Sequence, residues 1–69
     1  MKNRITDCRA QQDWTQAELA QRIGVSRQTI NAIETGKFDP SLPVAFRLAA
    51  IFDQTIEELF IDDQRRAEP

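Results

Sequence analysis

The chain contains no histidine and no tyrosine, and only one cysteine, one tryptophan and two glycines. Without histidine it lacks both the usual neutral-pH general base and the commonest metal ligand. A lone Cys8 excludes an internal disulfide and a cysteine-rich zinc site. Lying three residues after Ile5, in a helical pattern that runs to Gln12, it reads as a small buried hydrophobe rather than a reactive thiol. Gly24 and Gly36 are too far apart for a glycine-rich phosphate loop. No apolar run approaches the roughly 20 residues that span a bilayer, and no signal-peptide pattern heads the sequence, so a cytoplasmic protein is expected. The carboxylates fall at helix caps and in a polar tail, where solvation explains them, so an enzyme is the weakest functional class and neither a cofactor nor a small-molecule ligand is expected.

What is present is concentrated between Thr15 and Lys37, TQAELAQRIGVSRQTINAIETGK. Thr15 and Glu18 have the spacing of a capping box, and Trp14 and Leu19 that of a hydrophobic staple, so a helix begins near Gln16. Leu19, Ala20 and Ile23 form its apolar stripe, and Gly24 supplies the left-handed residue that ends it. Ser26 caps the next helix, with Val25 and Ile30 in the staple relation. Ile30 and Ile33 bury one side of that helix, which leaves Arg27, Gln28, Asn31 and Ala32 outside before Gly36 stops it. Two short helices joined by Gly24-Val25-Ser26, the second opening with polar side chains, suit the major groove of DNA.

These residues resemble the Cro/repressor-type (XRE-type) helix-turn-helix family. The match runs through Thr15-Gln16, Glu18-Leu19-Ala20, Ile23-Gly24-Val25-Ser26, Gln28-Thr29-Ile30, Ile33-Glu34, Gly36-Lys37, Pro40, Ala49 and Ile56-Glu57-Glu58-Leu59-Phe60, and covers about residues 2 to 61. It implies an all-α fold: a compact five-helix bundle, a lambda-repressor-like DNA-binding domain whose helix-turn-helix is made by the second and third helices. It also implies a largely buried ion pair between Arg9 on the first helix and Glu34 at the end of the third, against the alternative of two solvated charges.

The remainder of the chain reads as three more helices. The first is expected from Lys2 or Asn3 to Gln12. Lys37 to Ser41 is a turn, after which Ser41 caps a helix carrying Leu42, Ala45, Phe46, Leu48, Ala49 and Phe52, with Pro43 tolerated in the first turn. Asp53-Gln54 is a loop, and Thr55 with Glu58 repeats the capping box before a last short helix with Ile56, Leu59, Phe60 and Ile61. No strand is expected. Residues 62–69 have no apolar periodicity and read as a polar, frayed tail. Phe38, Phe46, Phe52 and Phe60 are expected to pack in the core rather than stack on single-stranded bases.

Nine basic against eleven acidic residues give a net charge of −2, which taken alone argues against nucleic acid. The charge is segregated, however: residues 1–38 carry six Lys or Arg against four Asp or Glu, and residues 39–69 carry three against seven. A basic end can then face phosphate while the acidic end faces solvent. Base reading falls to Arg27, Gln28 and Asn31, because Arg suits guanine and Gln or Asn suits adenine, with Ala32 available to a thymine methyl. The resemblance places Arg27, Gln28 and the position of Ala32 at base edges, and small Ala32 departs from the longer polar residue of some relatives. The bland alternative for this row is a solvated helix face. Gln16, Thr29, Thr35 and Lys37 are the candidate phosphate contacts, Gln16 because it opens a helix whose N–H groups can hold an anion.

A domain of 69 residues buries only about 60% of its unfolded surface, so dimerisation would help it. Leu59, Phe60 and Ile61 are the expected apolar centre of a homodimer that reads a palindromic operator in double-stranded DNA, although one core could use them all. With a reading head and no room for a sensing domain, the chain is expected to be a small transcriptional regulator, and a repressor. The other class left open is an antitoxin-like or regulatory protein-interaction module using the surface from Ile56 to Ile61.

Overall fold

The computed structural model describes residues 1–61; the tail expected at 62–69 lies outside the described residues. The order of elements is β1 (Lys2–Asn3), α1 (Ile5–Gln11), α2 (Gln16–Ile23), α3 (Arg27–Glu34), α4 (Leu42–Ile51), α5 (Ile56–Leu59) and β2 (Phe60–Ile61). Five helices surround one core, in which Ile5, Leu19, Ile30, Ile33, Leu48 and Leu59 are the large side chains removed from solvent. Each helix contributes at least one of them, so the core closes only when all five are docked.

Local chemistry sets most of the boundaries. Thr15 accepts from the Glu18 N–H at 3.0 Å while the Glu18 carboxylate accepts from the Thr15 N–H at 2.7 Å, and Thr55 and Glu58 repeat the exchange at 3.1 and 2.8 Å. Ser26 and Ser41 cap α3 and α4 through the N–H groups of Thr29 and Val44. Gly24 and Gly36 both have φ +79°, the left-handed region that favours glycine. A Cβ at Gly24 would meet nothing within 4 Å, so backbone conformation and not space requires glycine there.

Two expectations need correction. The chain does contain strands: β1 and β2 pair antiparallel, with Lys2 opposite Ile61 and Asn3 opposite Phe60. Consequently α1 begins at Ile5 rather than at Lys2 or Asn3, which are extended in β1, and the Asn3 side-chain oxygen accepts the Ile5 N–H at 3.1 Å. At the other end, Phe60 leaves the helix with extended backbone and α5 is a single turn. The Arg4 N–H donates to the Leu59 carbonyl at 2.9 Å, which extends the clasp between the first and last residues described.

The second correction concerns the apolar residues. Phe52 and Phe60 are buried, but Phe38, Phe46 and Leu42 are more than half exposed and do not belong to the core. On α4 the buried stripe is Ala45, Leu48 and Ala49, continued by Phe52 at its end; Leu42 and Phe46, one turn apart, form a second row beside it. Leu59 and Phe60, expected at the centre of a dimer surface, lie in the core of their own chain at 0% and 8% exposure, because the β1–β2 clasp turns Phe60 inward; Ile61 remains exposed.

Candidate nucleic-acid interface

α2 packs on α3 through the glycine turn, and the buried Ile30 and Ile33 leave the other side of α3 to solvent. Arg27, Gln28 and Asn31 are exposed there and Ala32 is half-buried. The three polar side chains lie at i, i+1 and i+4, so they share one face near the start of the helix. This is the part of a groove-reading helix that comes nearest to base edges.

That face is held in place by directional bonds from several elements. Arg9 on α1 makes a two-pronged pair with Glu34 at the end of α3, Nε donating to Oε2 at 2.9 Å and Nη2 to Oε1 at 3.2 Å, while Nη1 donates to the Trp14 carbonyl at 3.0 Å. The Arg9 and Glu34 side chains are 18% and 5% exposed. Burial pushes the Glu34 carboxyl up, but the hydrogen bonds from Arg9 and Gln16 outweigh it and hold the group below its ordinary value; the bond to Glu34 raises Arg9. The first and third helices are therefore tied by a bidentate charge-assisted bond, a geometry that constrains rotation as well as distance.

Gln16 is drawn into this arrangement. Its Nε2 donates to Glu34 Oε1 at 2.9 Å and its Oε1 accepts from Arg27 Nη1 at 3.2 Å. Thr29 shares a 2.8 Å hydroxyl contact with Ser26, and the Thr35 hydroxyl donates to the Asn31 carbonyl at 2.9 Å. Lys37 is exposed in the turn after α3, where its N–H donates to the Ala32 carbonyl at 3.0 Å.

Three further residues tie together the elements around α2 and α3. The Asn3 amide donates to the Ile33 carbonyl at 2.8 Å and so ties the amino-terminal segment to the end of α3. Its signal was a short amide side chain two residues before Ile5, the first residue of α1. Arg22 lies over the Trp14 ring at 4.2 Å from its centroid, and Arg47 Nη1 donates to the Ile23 carbonyl at 3.2 Å, a cation at the end of α2. Arg47 carried no sequence signal for this contact, since its partner is 24 residues away.

Helix, turn and solvent-facing polar helix in this order define a DNA-reading head, and the comparisons place it. The model of the helix-turn-helix family matches residues 5–59. An uncharacterised HTH-type transcriptional regulator of Methanocaldococcus jannaschii is 53% identical over 66 residues, covering 93% of this chain and all of that protein. The cryptic phage CTXphi transcriptional repressor RstR of Vibrio cholerae is 36% identical over 62 residues, covering 90% of this chain and 56% of the repressor. Among solved structures, the SOS-response transcriptional repressor LexA of Eubacterium rectale superposes with a TM-score of 0.76 at 29% identity, covering 94% of this chain and 69% of that one. The chain belongs to the helix-turn-helix family of XRE-type transcriptional regulators. Its function is sequence-specific binding of double-stranded DNA through the helix-turn-helix made by α2 and α3. Among the described residues no group of three or more His, Cys, Asp or Glu could hold a metal, and no helix is long and apolar enough to cross a membrane.

Proposed function

We propose that the chain is a repressor that binds a palindromic operator as a homodimer, with Arg27, Gln28 and Asn31 reading base edges in the major groove and Ala32 meeting a thymine methyl. The observation that carries this reading is the exposed row Arg27, Gln28 and Asn31 on a helix whose opposite side, Ile30 and Ile33, is locked into the core. A rigid helix delivers these side chains in one register, so each good bidentate pair can contribute about 1 to 3 kcal/mol of discrimination. Lys37, with Thr29, Thr35 and Gln16, supplies contacts to the phosphates on either side. Lys37 adds charge without direction, and the second Nε2 hydrogen of Gln16, with the N–H groups that open α2, suits an anion.

A single recognition helix reads only a half-site, and two-fold pairing sets two of them about 34 Å apart. Exposed apolar side chains support a second copy as the partner. Ile61 lies on the clasp opposite Lys2, the Met1 ammonium donates to the Asp39 carboxylate at 3.4 Å, and Phe38, Leu42 and Phe46 stand exposed on the turn and helix that follow.

The test is selection from a randomised duplex library followed by footprinting and sedimentation of the selected complex. Protection of two half-sites by two chains, with transcription falling when the site lies in a promoter, is the expected result. A duplex left unprotected at saturating protein would favour the protein-interaction module, and raised transcription would make the chain an activator.

A further inference from the structure

The turn that follows α3 is held from outside by the amino-terminal segment. Asn3 carries an amide with two N–H donors and an acceptor oxygen, and both ends are engaged: Nδ2 donates to the Ile33 carbonyl at 2.8 Å and to the Met1 carbonyl at 3.4 Å, while Oδ1 accepts from the Ile5 N–H at 3.1 Å. An amide has two nearly equivalent orientations, and the reversed one would here set oxygen against two carbonyls. Its direction is therefore fixed. The Ile33 carbonyl also accepts from the Gly36 N–H at 3.1 Å, and the Lys37 and Phe38 N–H groups fold back to the Ala32 carbonyl at 3.0 and 3.2 Å. One carbonyl thus joins Asn3 to the turn. Two more contacts lie alongside: a Cβ on Gly36 would stand 3.6 Å from the Met1 carbonyl oxygen, so the two backbones pass at contact distance, and the Met1 ammonium donates to the Asp39 carboxylate at 3.4 Å.

We infer that Asn3 is a positioning residue for the phosphate contact of Lys37, because it fixes the path of the chain from the end of α3 into the turn that carries that ammonium. The N–H groups of Thr35, Gly36, Lys37 and Phe38 all donate to carbonyls of α3, so the turn reaches a phosphate through its side chains. Lys37 is exposed on a flexible stem, and what the fold can fix is the backbone from which the stem starts. With the turn set before DNA arrives, only the side chain has to be ordered on binding. Without the Asn3 donor, the Ile33 carbonyl keeps the Gly36 N–H alone, and the turn is tied to its own helix but no longer to β1. Its backbone must then be ordered together with the lysine. A residue in the amino-terminal strand, itself in no need of contact with DNA, contributes in this way to how firmly the recognition helix is anchored.

This inference rests on the reading of Lys37 as a phosphate contact, and the experiment separates the two. Binding is titrated on a duplex selected from a randomised library and on a scrambled duplex, for the wild-type chain, Asn3→Ala, Lys37→Ala and the double variant, with urea unfolding to verify that each is folded. Asn3→Asp repeats the test: it keeps an oxygen for the Ile5 N–H and loses the donor to Ile33, so the tie is removed while the start of α1 is kept. The expected result is that both Asn3 variants weaken both duplexes alike by about twofold to tenfold, the range for ordering one more flexible group, with base preferences unchanged. Once Lys37 is alanine, the same changes cost nothing further. Amide hydrogen exchange of the free chain should quicken at Gly36 and Lys37 by more than it does in α4, which a general loss of stability would not produce. Equal losses with and without Lys37 would make Asn3 a residue of general stability and overturn the inference, as would unchanged binding. A loss confined to one base position would place its effect on α3 itself and overturns it too. If Lys37→Ala leaves both duplexes bound as tightly as before, the phosphate reading of Lys37 fails and the positioning role fails with it.

Discussion

The two parts of this small domain are held by different kinds of force. In residues 1–38, the elements around α3 are joined by directional polar bonds: Asn3 to Ile33, Arg9 to Glu34, Gln16 to Glu34 and Arg27. In α4, α5 and β2 the sequence supplies caps at the helix starts, but Leu48, Ala49, Phe52, Leu59 and Phe60 join the core through apolar packing. Packing fixes distance well and rotation poorly, whereas a bidentate ion pair or a two-ended amide fixes both. Directional bonds occur where a helix must present side chains in one register. The region joined mainly by apolar packing, with the strand clasp and the Arg47 bond to the Ile23 carbonyl as its polar ties, is also the one that leaves Leu42 and Phe46 uncovered.

The sharpest way to break this contrast is to remove the ion pair. Arg9→Ala leaves the Glu34 carboxylate buried without its cation, held only by neutral donors such as the Gln16 amide, and should destabilise the fold by about 3 to 5 kcal/mol, a large part of the roughly 3 to 10 kcal/mol available to a chain of this size. Urea unfolding measures it, and a loss no larger than that of an exposed substitution contradicts the account. Replacing both partners, Arg9→Met with Glu34→Leu, should restore most of the stability while removing the carboxylate that accepts from the Gln16 amide. The pair also makes stability depend on acid. The folded carboxyl of Glu34 lies below its ordinary value near 4.5, so its contribution is complete above that value and is lost as the pH falls through the lower, folded one. Wild type should therefore lose stability more steeply than Glu34→Gln in that acid range.

Contacts to DNA give the next effect. Gln28→Ala should reduce discrimination at one base position by about 1 to 3 kcal/mol, while Lys37→Ala weakens all duplexes alike and lowers the salt slope by a little under one. Binding titrations at several salt concentrations, on selected and scrambled duplexes, distinguish them. Equal loss on every sequence for Gln28→Ala would move that residue to the backbone.

Caps provide a finer comparison, because the same device opens one helix in each region. Thr15→Ala and Thr55→Ala each remove a side-chain acceptor from an N–H near 3 Å and should each lower stability by about 1 kcal/mol. At Thr15 the loss should extend to DNA affinity, since α2 carries Gln16; at Thr55 it should not.

These caps were legible in the sequence because their signals are local: Thr15 with Glu18, Thr55 with Glu58, Ser26 three residues before Thr29, glycine at 24. The exposure of Arg27, Gln28 and Asn31 followed for the same reason, from the period of a helix whose inner side is Ile30 and Ile33. Features that depend on closure of the chain were not legible. Strands of two residues have no periodicity, and the pairing of Lys2 with Ile61 exists only after the core has brought the ends together. The bond from Gln16 to Glu34 spans 18 residues and depends on the angle between two helices. On α4 the apolar residues reveal which side is hydrophobic but not how wide an arc the neighbours cover, and so the pattern alone puts Phe46 inside where the fold leaves it exposed.

Phe46 offers the prediction with the smallest expected effect on the fold and the clearest consequence for the second region. Phe46 is 56% exposed and sits one turn from Leu42 at 63%, so more than half of its area stays in contact with water within the chain. Phe46→Ser should lower folding stability by no more than about 1 kcal/mol, the share of a fully buried phenylalanine's contribution that its covered part represents. If this row meets a second copy, the same change removes an aromatic side chain from the apolar centre of the contact, where truncation typically costs more than 1 kcal/mol of association. Binding to a palindromic duplex should then lose cooperativity, while affinity for an isolated half-site is retained. The contrast with Phe60 is instructive: at 8% exposure it belongs to the core, and Phe60→Asp should unfold the domain before any effect on pairing can be seen. Sedimentation with half-site and full-site duplexes reads both variants, and undiminished two-chain occupancy by Phe46→Ser would place the pairing surface elsewhere on the molecule.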